Sequence, residues 1–329
     1  MSNTLLVSPV IVCHAGAEQR KRDRVIPAFL RAWAATSQSL LGGRGVRFGC
    51  TVAANLIGTN GRIVFRLAGG GLFSVRTDDC YWLNYLFLTQ SYETDLDHFL
   101  SRALTARDSF LDCGANLGLW SIAMARVIGD KTRVVAVEAS SCTFAQLEQN
   151  WEANDRSFMI VHRAVGTTSE EQVSFFSSVD DHASATMVEG LSPDDAKVEF
   201  VTTVSLLDLV DEQLSLQAAN DALIFVKLDI EGMERQIFST LRPTEHGSLL
   251  IMFEDHGNEI NHVAAFVLEQ GFQVAFLADD GTLEPIRTQS LYRLDELKTN
   301  PARGYNLLAF APVGSAASRL AALFDLEIG

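Results

Sequence analysis

The sequence predicts an α/β protein built on a mainly parallel β-sheet with helices on both faces. From residue 108 onward, short apolar runs alternate with segments of helical periodicity, which is the pattern of successive strand–helix units. The runs LIFVKL and LLIMF are apolar on both of their alternating faces. Strands buried on both sides have this composition, whereas a half-solvated strand alternates apolar and polar residues.

The elements of this region follow in a regular order. Seven strands are predicted, at SFLDC, RVVAVEA, FMIVHRAV, ALIFVKLDI, SLLIMFED, FQVAFLA and YNLLAFAP. Helices are predicted at LGLWSIAMARVI, CTFAQLEQNWEAN, MERQIFSTL and EINHVAAFVLEQ. Ligands of such sheets bind beyond the carboxyl ends of the strands, so the residues that follow each strand form the candidate site.

The first 105 residues have a different pattern. Residues 26–41 are predicted to form an amphipathic helix, and the Asn60-Gly61 pair and the glycines Gly69 to Gly71 mark turns between short β-like runs. YWLNYLFL and DLDHFLSRAL have helical patterns. We therefore expect an N-terminal α+β cap over residues 1–105, for substrate binding or dimerisation, then a main domain over 106–313 and a tail over 314–329.

Composition limits the possible partners. The chain has 329 residues, of which 47% are hydrophobic and 20% are charged, and its formal net charge is −15. That charge disfavours nucleic acids and anionic membranes as partners. No apolar run approaches the roughly 20 residues that span a bilayer, so we expect no membrane insertion.

The cysteines indicate a reducing compartment. There are five of them, widely spaced and without a CxxC pair: Cys13, Cys50, Cys80, Cys113 and Cys142. This number and spacing fit neither a disulfide framework nor a zinc knuckle. The early apolar run TLLVSPVIVC has its basic cluster after it, which is the wrong order for a secretory signal. We expect a cytoplasmic protein.

The first predicted strand leads into a glycine turn, DCGANLG, that contains Asp112, Gly114, Asn116 and Gly118. Neither GxGxxG nor GxxxxGK occurs there, so the turn predicts no cradle for a pyrophosphate. Gly114 lacks a Cβ and would let the backbone approach a ligand closely, while Asp112 could hold an ammonium group or an ordered water. The alternative is an ordinary strand-to-helix turn that Asn116 caps.

The second and third strands end in residues that suit a nucleoside. Glu138 ends the second strand, and a carboxylate there can accept two hydrogen bonds from a ribose diol. Ala164 and Val165 follow the third strand and could line an adenine pocket. An exposed carboxylate at a strand end and plain apolar packing remain the alternatives.

The fourth strand carries charge at every second position: Lys227, Asp229 and Glu231. These side chains point the same way while the chain is extended, and burying them unpaired would be costly, so we expect them to neutralise one another. Asp229 is a candidate general base or ligand. Lys227 is expected to be its structural partner.

The fifth strand ends in Glu254-Asp255-His256. His256 could accept a proton near neutral pH. Alternatively, Asp229 together with Glu254 or Asp255 could hold a divalent ion through oxygen ligands. Because no tight metal-ligand spacing is present, we assign no metal site from the sequence.

Taken together, these motifs resemble the FkbM family of S-adenosylmethionine-dependent methyltransferases. The resemblance covers roughly residues 90–255 and is carried by QSYETDLDHFL, FLDCGANLGLWS, VVAVEAS, FAQLEQNWEAN, RAVG, VTTVSLLDLV and VKLDIEGMERQIF. It implies a Rossmann-like class I methyltransferase fold with a mainly parallel seven-stranded sheet. It also implies O-methylation of a small molecule, saccharide or secondary metabolite, with S-adenosyl-L-methionine as the cofactor.

The resemblance also implies roles for residues. Asp112, Gly114 and Asn116 would contact the methionine part of the cofactor, and Glu138 its ribose. Gly118, Ala139, Ala164 and Asp229 complete the predicted cofactor site. Asp229 and Glu231 fall in the family's K-x-D-x-E-G pattern near the reacting centre. The family commonly has Glu-Pro where this chain has Glu138-Ala139, which changes loop stiffness but keeps the carboxylate.

For the acceptor we expect a general base and a binding surface. Asp229 and His256 are the candidate bases, because an aliphatic hydroxyl must lose its proton to become a good nucleophile. Glu231, Tyr92 and His182 are the candidate substrate contacts. His182, with Ser184, belongs to the polar stretch 177–190, which could fold over the substrate. The cap tyrosines could add acceptor specificity or a homodimer surface.

Three other functions are conceivable for such a sequence. A Rossmann oxidoreductase is disfavoured because GxGxxG is absent and no tyrosine is followed by lysine at the fourth position. A DNA amino-methyltransferase is disfavoured because the chain has no Pro-Pro and is acidic. The remaining alternative is a non-catalytic cofactor-binding or assembly protein that retains the fold.

Overall fold

The structure is a computed structural model that describes residues 61–86, 92–177, 186–187, 197–217, 219–230, 232–256, 263–299 and 304–326. Its strands are β1 (Arg62–Arg66), β2 (Leu72–Arg76), β3 (Ser109–Cys113), β4 (Val134–Glu138), β5 (Met159–His162), β6 (Ala164–Gly166), β7 (Gln172–Ser177), β8 (Lys197–Ser205), β9 (Ile224–Leu228), β10 (Leu249–His256), β11 (Gln273–Leu277), β12 (Leu283–Ile286) and β13 (Gly304–Phe310). Its α-helices are α1 (Cys80–Asn84), α2 (Thr94–Ala103), α3 (Leu119–Ile128), α4 (Ser141–Ala153), α5 (Leu206–Leu216), α6 (Glu234–Thr240), α7 (Val263–Glu269), α8 (Tyr292–Leu297) and α9 (Ser315–Phe324). None of these helices is long and apolar enough to cross a bilayer.

The central sheet has the strand order β12-β11-β13-β10-β9-β3-β4-β5. The strands from β10 to β5 pair in parallel, whereas β13 is antiparallel to both of its neighbours. The predicted large and mostly parallel sheet is thus confirmed. It contains eight strands rather than seven, because β12 adds to the edge beside β11. This strand has only four residues and contains Pro285, which weakens any strand pattern in the sequence.

The predicted third strand, FMIVHRAV, is two strands in the structure. β5 ends at His162 and stays at the edge of the central sheet. β6 begins at Ala164 and pairs in parallel with β8, which also pairs with β7 in a separate three-stranded sheet. The prediction of one continuous strand was wrong because the chain changes sheets at Arg163, where side-chain periodicity carries no signal.

The two faces of the central sheet pack against different layers. On one face, alternate residues such as Phe110, Phe225 and Leu250 share a core with the β1–β2 hairpin and with α2, α3 and α9. On the other face, residues such as Leu111 and Val226 pack with α5, α6 and α7. Both faces are therefore covered, as the doubly apolar runs predicted.

Asn150 of α4 and Asn154, the residue that follows this helix, attach the hairpin to the main sheet layer. Asn150 accepts a hydrogen bond from Ser74 N–H at 2.8 Å and donates to Ser74 O at 3.1 Å. Asn154 does the same with Leu72, at 2.9 and 2.7 Å. These side-chain amides occupy the hydrogen-bonding positions of β2 that an additional strand would otherwise fill. The hairpin turn lies at Gly69 to Gly71, as predicted, and Asn60 lies outside the described residues.

Candidate functional site

The polar residues of the candidate site lie on one face of the sheet at the carboxyl ends of its central strands. Asp112 on β3 is level with Lys227 on β9. Asp229 follows Lys227 by two residues, so its position belongs to the same face. On the next strands, Glu254 of β10 is the direct partner of Asn306 on β13. Side chains that are distant in sequence therefore meet along one edge of the sheet.

The glycine turn is shaped by two close approaches within the protein. Gly114 has φ +82°, and a Cβ there would lie 1.9 Å from Asp229 O. Gly118, which precedes α3, has φ +83°, and a Cβ there would lie 2.5 Å from Leu147 Cδ1. The backbone clash and the positive φ exclude other residues at Gly114, whereas at Gly118 it is the positive φ that favours glycine. Gly114 thus brings the end of β3 against the backbone of Asp229.

Asp112 connects β3 to the start of α3. Its Oδ2 accepts hydrogen bonds from the backbone N–H and the hydroxyl of Ser121, at 3.1 and 2.6 Å. Its Oδ1 is buried and has no hydrogen-bond partner among the described residues. Burial raises the pKa of Asp112, against the lowering effects of Lys227 and Ser121. One oxygen of this carboxyl group therefore caps the helix, and the other is open to a donor.

Glu138 lies between the glycine turn and the start of α4. Its Oε2 accepts from Asn116 N–H at 2.9 Å, and its Oε1 accepts from Ser140 N–H at 2.8 Å. Asn116 has φ +51°, and its Oδ1 accepts from Leu117 N–H and from the indole N–H of Trp82. The structure therefore brings Asp112, Gly114, Asn116 and Glu138 together around one turn.

The other predicted cofactor residues lie beside this turn. Ala164 is buried with Phe175 and Val201, and Ala139 packs against the same small cluster. His162 is the strand partner of Glu138, and its Nε2 lies 3.1 Å from Ala139 O. Ala139 and Ala164 are thus neighbours, on the side of Glu138 that faces the three-stranded sheet.

Lys227 and Asp229 form an ion pair, as the sequence predicts. Lys227 Nζ lies 2.5 Å from Asp229 Oδ2, and the Lys227 side chain is 4% exposed against 25% for Asp229. Burial alone would lower the pKa of Lys227, but the charges of Asp229, Glu93 and Asp112 outweigh it and raise that pKa. Lys227 stays charged and holds Asp229 at the mouth of the sheet.

Glu93 also belongs to this site, although no strand-end position or motif residue in the sequence identifies it. It precedes α2 in a left-handed conformation, with φ +42°. Its Oε2 accepts a hydrogen bond from the indole N–H of Trp120. Loss of hydration raises the pKa of Glu93 to about 8, with Lys227 opposing the shift and Asp229 adding to it. The available sequence signal is its place just before a helix, inside the segment QSYETDLDHFL.

Glu93, Asp229 and Glu254 form an acidic cluster. Each offers a carboxylate oxygen, and these three oxygens lie within 4.8 Å of one another. The sequence left open whether Glu254 or Asp255 lies near Asp229, and the structure selects Glu254. Asp255 is instead buried in an ion pair with Lys298, at 3.1 Å, and accepts from Ala264 N–H of α7 on the opposite face.

An aromatic group, made of Tyr81, Trp82, Tyr85 and Tyr92, lies beside the acidic cluster. The hydroxyls of Tyr81 and Tyr92 are 3.3 Å apart, and ring centroids of neighbouring members are 4.7 to 6.4 Å apart. Burial raises the pKa of Tyr92 well above its ordinary value, and the charge of Glu93 adds to the effect. Tyr92, a predicted substrate contact, thus lies near Asp229 and, through Trp82, near the glycine turn.

Four residues that the sequence suggests for the site cannot be placed in this geometry. Glu231 and His182, together with Ser184, lie outside the described residues. His256 ends β10 opposite Gly304, and its side chain is not described.

Comparison with known proteins relates the chain to a family. Residues 112–274 match the family model described as the methyltransferase FkbM domain. A solved structure, the methyltransferase FkbM from Methylobacillus flagellatus KT, is similar at 14% identity and a TM-score of 0.31. The match covers 71% of this chain and 54% of that one, so this chain spans about half the length of that structure. No curated protein matches the chain.

Proposed function

Because residues 112–274 belong to the FkbM methyltransferase family, we propose that the protein is an S-adenosyl-L-methionine-dependent O-methyltransferase. Its acceptor would be a hydroxyl of a small molecule, a saccharide or a secondary metabolite. The observation that carries the proposal is the meeting of Asp112, Asn116 and Glu138 around one turn at the carboxyl ends of β3 and β4. This is where parallel sheets bind their ligands.

The residues of this turn fit the cofactor. The backbone N–H groups of Asn116 and Ser140 hold the Glu138 carboxylate at the carboxyl end of β4, and a carboxylate in that place suits a ribose diol. Asp112 Oδ1 is a buried acceptor without a donor among the described residues, which suits the ammonium of the methionine part. When bound, S-adenosyl-L-methionine supplies an electrophilic methyl group whose sulfur leaves as a neutral thioether.

For catalysis the chain must place the acceptor oxygen and take its proton. Positioning accounts for most of the rate enhancement, because the leaving group needs no acid. Asp229 is our first candidate for the base, since Gly114 holds its backbone against the cofactor turn and Lys227 fixes its side chain. His256 remains the second candidate. Tyr92 and the rest of the aromatic group would contact the acceptor.

Calorimetry with S-adenosyl-L-methionine tests the cofactor assignment. Glu138→Gln keeps the size of the side chain but loses the charge and one acceptor position, so we expect at least about a tenfold loss of affinity, or about 1.4 kcal/mol. The matched control is Glu148→Gln, the same change at an exposed position of α4. Equal affinities of the two variants would remove Glu138 from the cofactor site.

A thermal-shift comparison tests the reaction class. We expect S-adenosyl-L-methionine and S-adenosylhomocysteine to raise the melting temperature, because a ligand that binds only the folded state stabilises it. Stabilisation by NAD alone would contradict the proposal and favour an oxidoreductase.

A further inference from the structure

We propose that Glu93, Asp229, Glu254 and Asn306 form a binding site for one divalent cation that prefers oxygen ligands, of the Mg²⁺, Mn²⁺ or Ca²⁺ class. The proposal concerns the binding of an ion and does not rest on the proposed methyl transfer.

The spacing of the carboxylates suits a single ion. Their three oxygens lie within 4.8 Å of one another. Hard cations bind oxygen at about 2.0 to 2.6 Å, so two oxygens on opposite sides of one ion lie about 4 to 5 Å apart and adjacent ones lie closer. A single ion can therefore contact all three carboxylates without a change of backbone.

Asn306 provides independent support for a cation at this place. It is the direct cross-strand partner of Glu254 and is only 4% exposed. Its side-chain N–H donates to Asp95 Oδ2 at 2.9 Å, while its carbonyl Oδ1 is buried without a hydrogen-bond partner among the described residues. An amide oxygen buried without a donor is unfavourable, and a cation would satisfy it.

The fold brings Glu93, Asp229 and Glu254 together and places Asn306 beside Glu254. Asp229 continues the face of β9 that carries Phe225 and Lys227. Glu254 lies on the face of β10 that carries Met252, which is the same face of the sheet. Asn306 lies one strand further along on this face, and Glu93 reaches the cluster from the start of α2. The ligands thus come from four separate elements of a packed core, which is a rigid arrangement for a metal site.

Lys227 does not take the place of the proposed ion. Its ammonium group is bound to Asp229 Oδ2, and Asp229 has a second carboxylate oxygen for the cation. Asn306 Oδ1 stays without a donor even with Lys227 present. Because all the proposed ligands are oxygen, the site favours Mg²⁺, Mn²⁺ or Ca²⁺ over ions that prefer nitrogen or sulfur.

Titration with Mn²⁺, followed by the electron paramagnetic resonance signal of the free ion, tests the proposal on the full chain after treatment with EDTA. We expect one bound Mn²⁺ per chain in the wild type. Glu254→Gln keeps the shape of the side chain but removes a charged ligand, so we expect at least about a tenfold weaker affinity. Glu245→Gln, the same change at an exposed position, is the matched control and should bind like the wild type.

A second variant keeps the test decisive if Glu254→Gln does not fold. Glu93→Gln retains an acceptor for the Trp120 indole and should weaken Mn²⁺ binding similarly. Absence of binding by the wild type at about 1 mM Mn²⁺, the weak end of natural sites, would overturn the proposal. So would equal affinities of the glutamine variants and the control. Calorimetry with S-adenosyl-L-methionine on the metal-free chain is a separate readout, so failure of either proposal can be told from failure of the other.

Discussion

Glu93 is a carboxyl group whose ionisation the fold opposes. Loss of hydration raises its pKa to about 8, with Asp229 and Glu254 adding to the shift and Lys227 opposing it. Its ordinary value is 4.5, so between about pH 4.5 and 8 the folded protein binds a proton that the unfolded chain has released. Stability therefore falls as pH rises through this window, and the favourable contribution is fully present only below the lower value.

Replacement of Glu93 should remove this pH dependence. We expect Glu93→Gln to gain stability relative to the wild type as pH rises from about 5 to 8.5, because glutamine has no proton to lose. Thermal melts in EDTA across this range measure the effect, and Trp120 fluorescence should titrate near pH 8 in the wild type only, since its indole contacts Glu93. A stability difference that stays constant with pH would contradict the prediction, and Glu245→Gln should follow the wild type.

At the scale of residues, the sequence predicts the site residues that follow parallel strands. It does not predict the site residues that other elements supply. Asp112, Glu138 and Asp229 follow apolar runs, and the rule that parallel strands bind ligands at their carboxyl ends identifies them. Glu93 comes from the start of a helix, and Asn306 comes from an antiparallel strand whose register no local pattern specifies. The approach of Glu93 to Asp229, and of Asn306 to Glu254, is a property of the tertiary fold.

At the scale of elements, the attachment of the hairpin to α4 depends on Asn150. This residue is fully buried, and its amide makes three hydrogen bonds, two to Ser74 and one to Leu117 O. A polar residue on the buried side of a helix is costly unless all its groups are paired, and here the partners are backbone groups of two other segments.

Truncation of Asn150 should therefore be strongly destabilising. Asn150→Ala leaves one N–H and two carbonyl groups without their partner, so we expect the free energy of unfolding to fall by about 3 kcal/mol. Urea denaturation measures the loss. Gln149→Ala, at the exposed neighbouring position, should change stability by less than about 0.5 kcal/mol. Similar effects of the two substitutions would show that the hairpin is attached by other contacts.

Element type was easier to predict than element partnership. SFLDC and the two doubly apolar runs form central strands as expected. Their apolar side chains predict burial without reference to any other part of the chain. FMIVHRAV gave no sign that the chain leaves the central sheet at Arg163, since β5 and β6 are equally strand-like in composition. Strand pairing depends on residues far away in the sequence, such as those of β8.

At the scale of the whole molecule, one core connects the predicted cap to the main sheet. Ile63, Phe65, Phe73 and Val75 of the hairpin and Phe99 and Leu100 of α2 are buried in the same cluster as the β3 and β9 side chains. The sequence shows the change of pattern near residue 105. It does not show whether the two parts fold separately. An apolar face has the same sequence pattern whether it packs within its own part or against the other part.

This shared core predicts that residues 106–329 do not fold alone. Burial of six such side chains contributes about 10 kcal/mol or more, which is as large as the whole stability of a typical domain. Arg319 of α9 would also lose its contact with Ala103 O while keeping its ion pair with Asp108. We expect the 106–329 fragment to bind a hydrophobic dye and to melt without a cooperative transition, whereas the full chain melts cooperatively. A fragment that melted cooperatively and kept its near-ultraviolet circular dichroism would show instead that the first 105 residues are a separable domain.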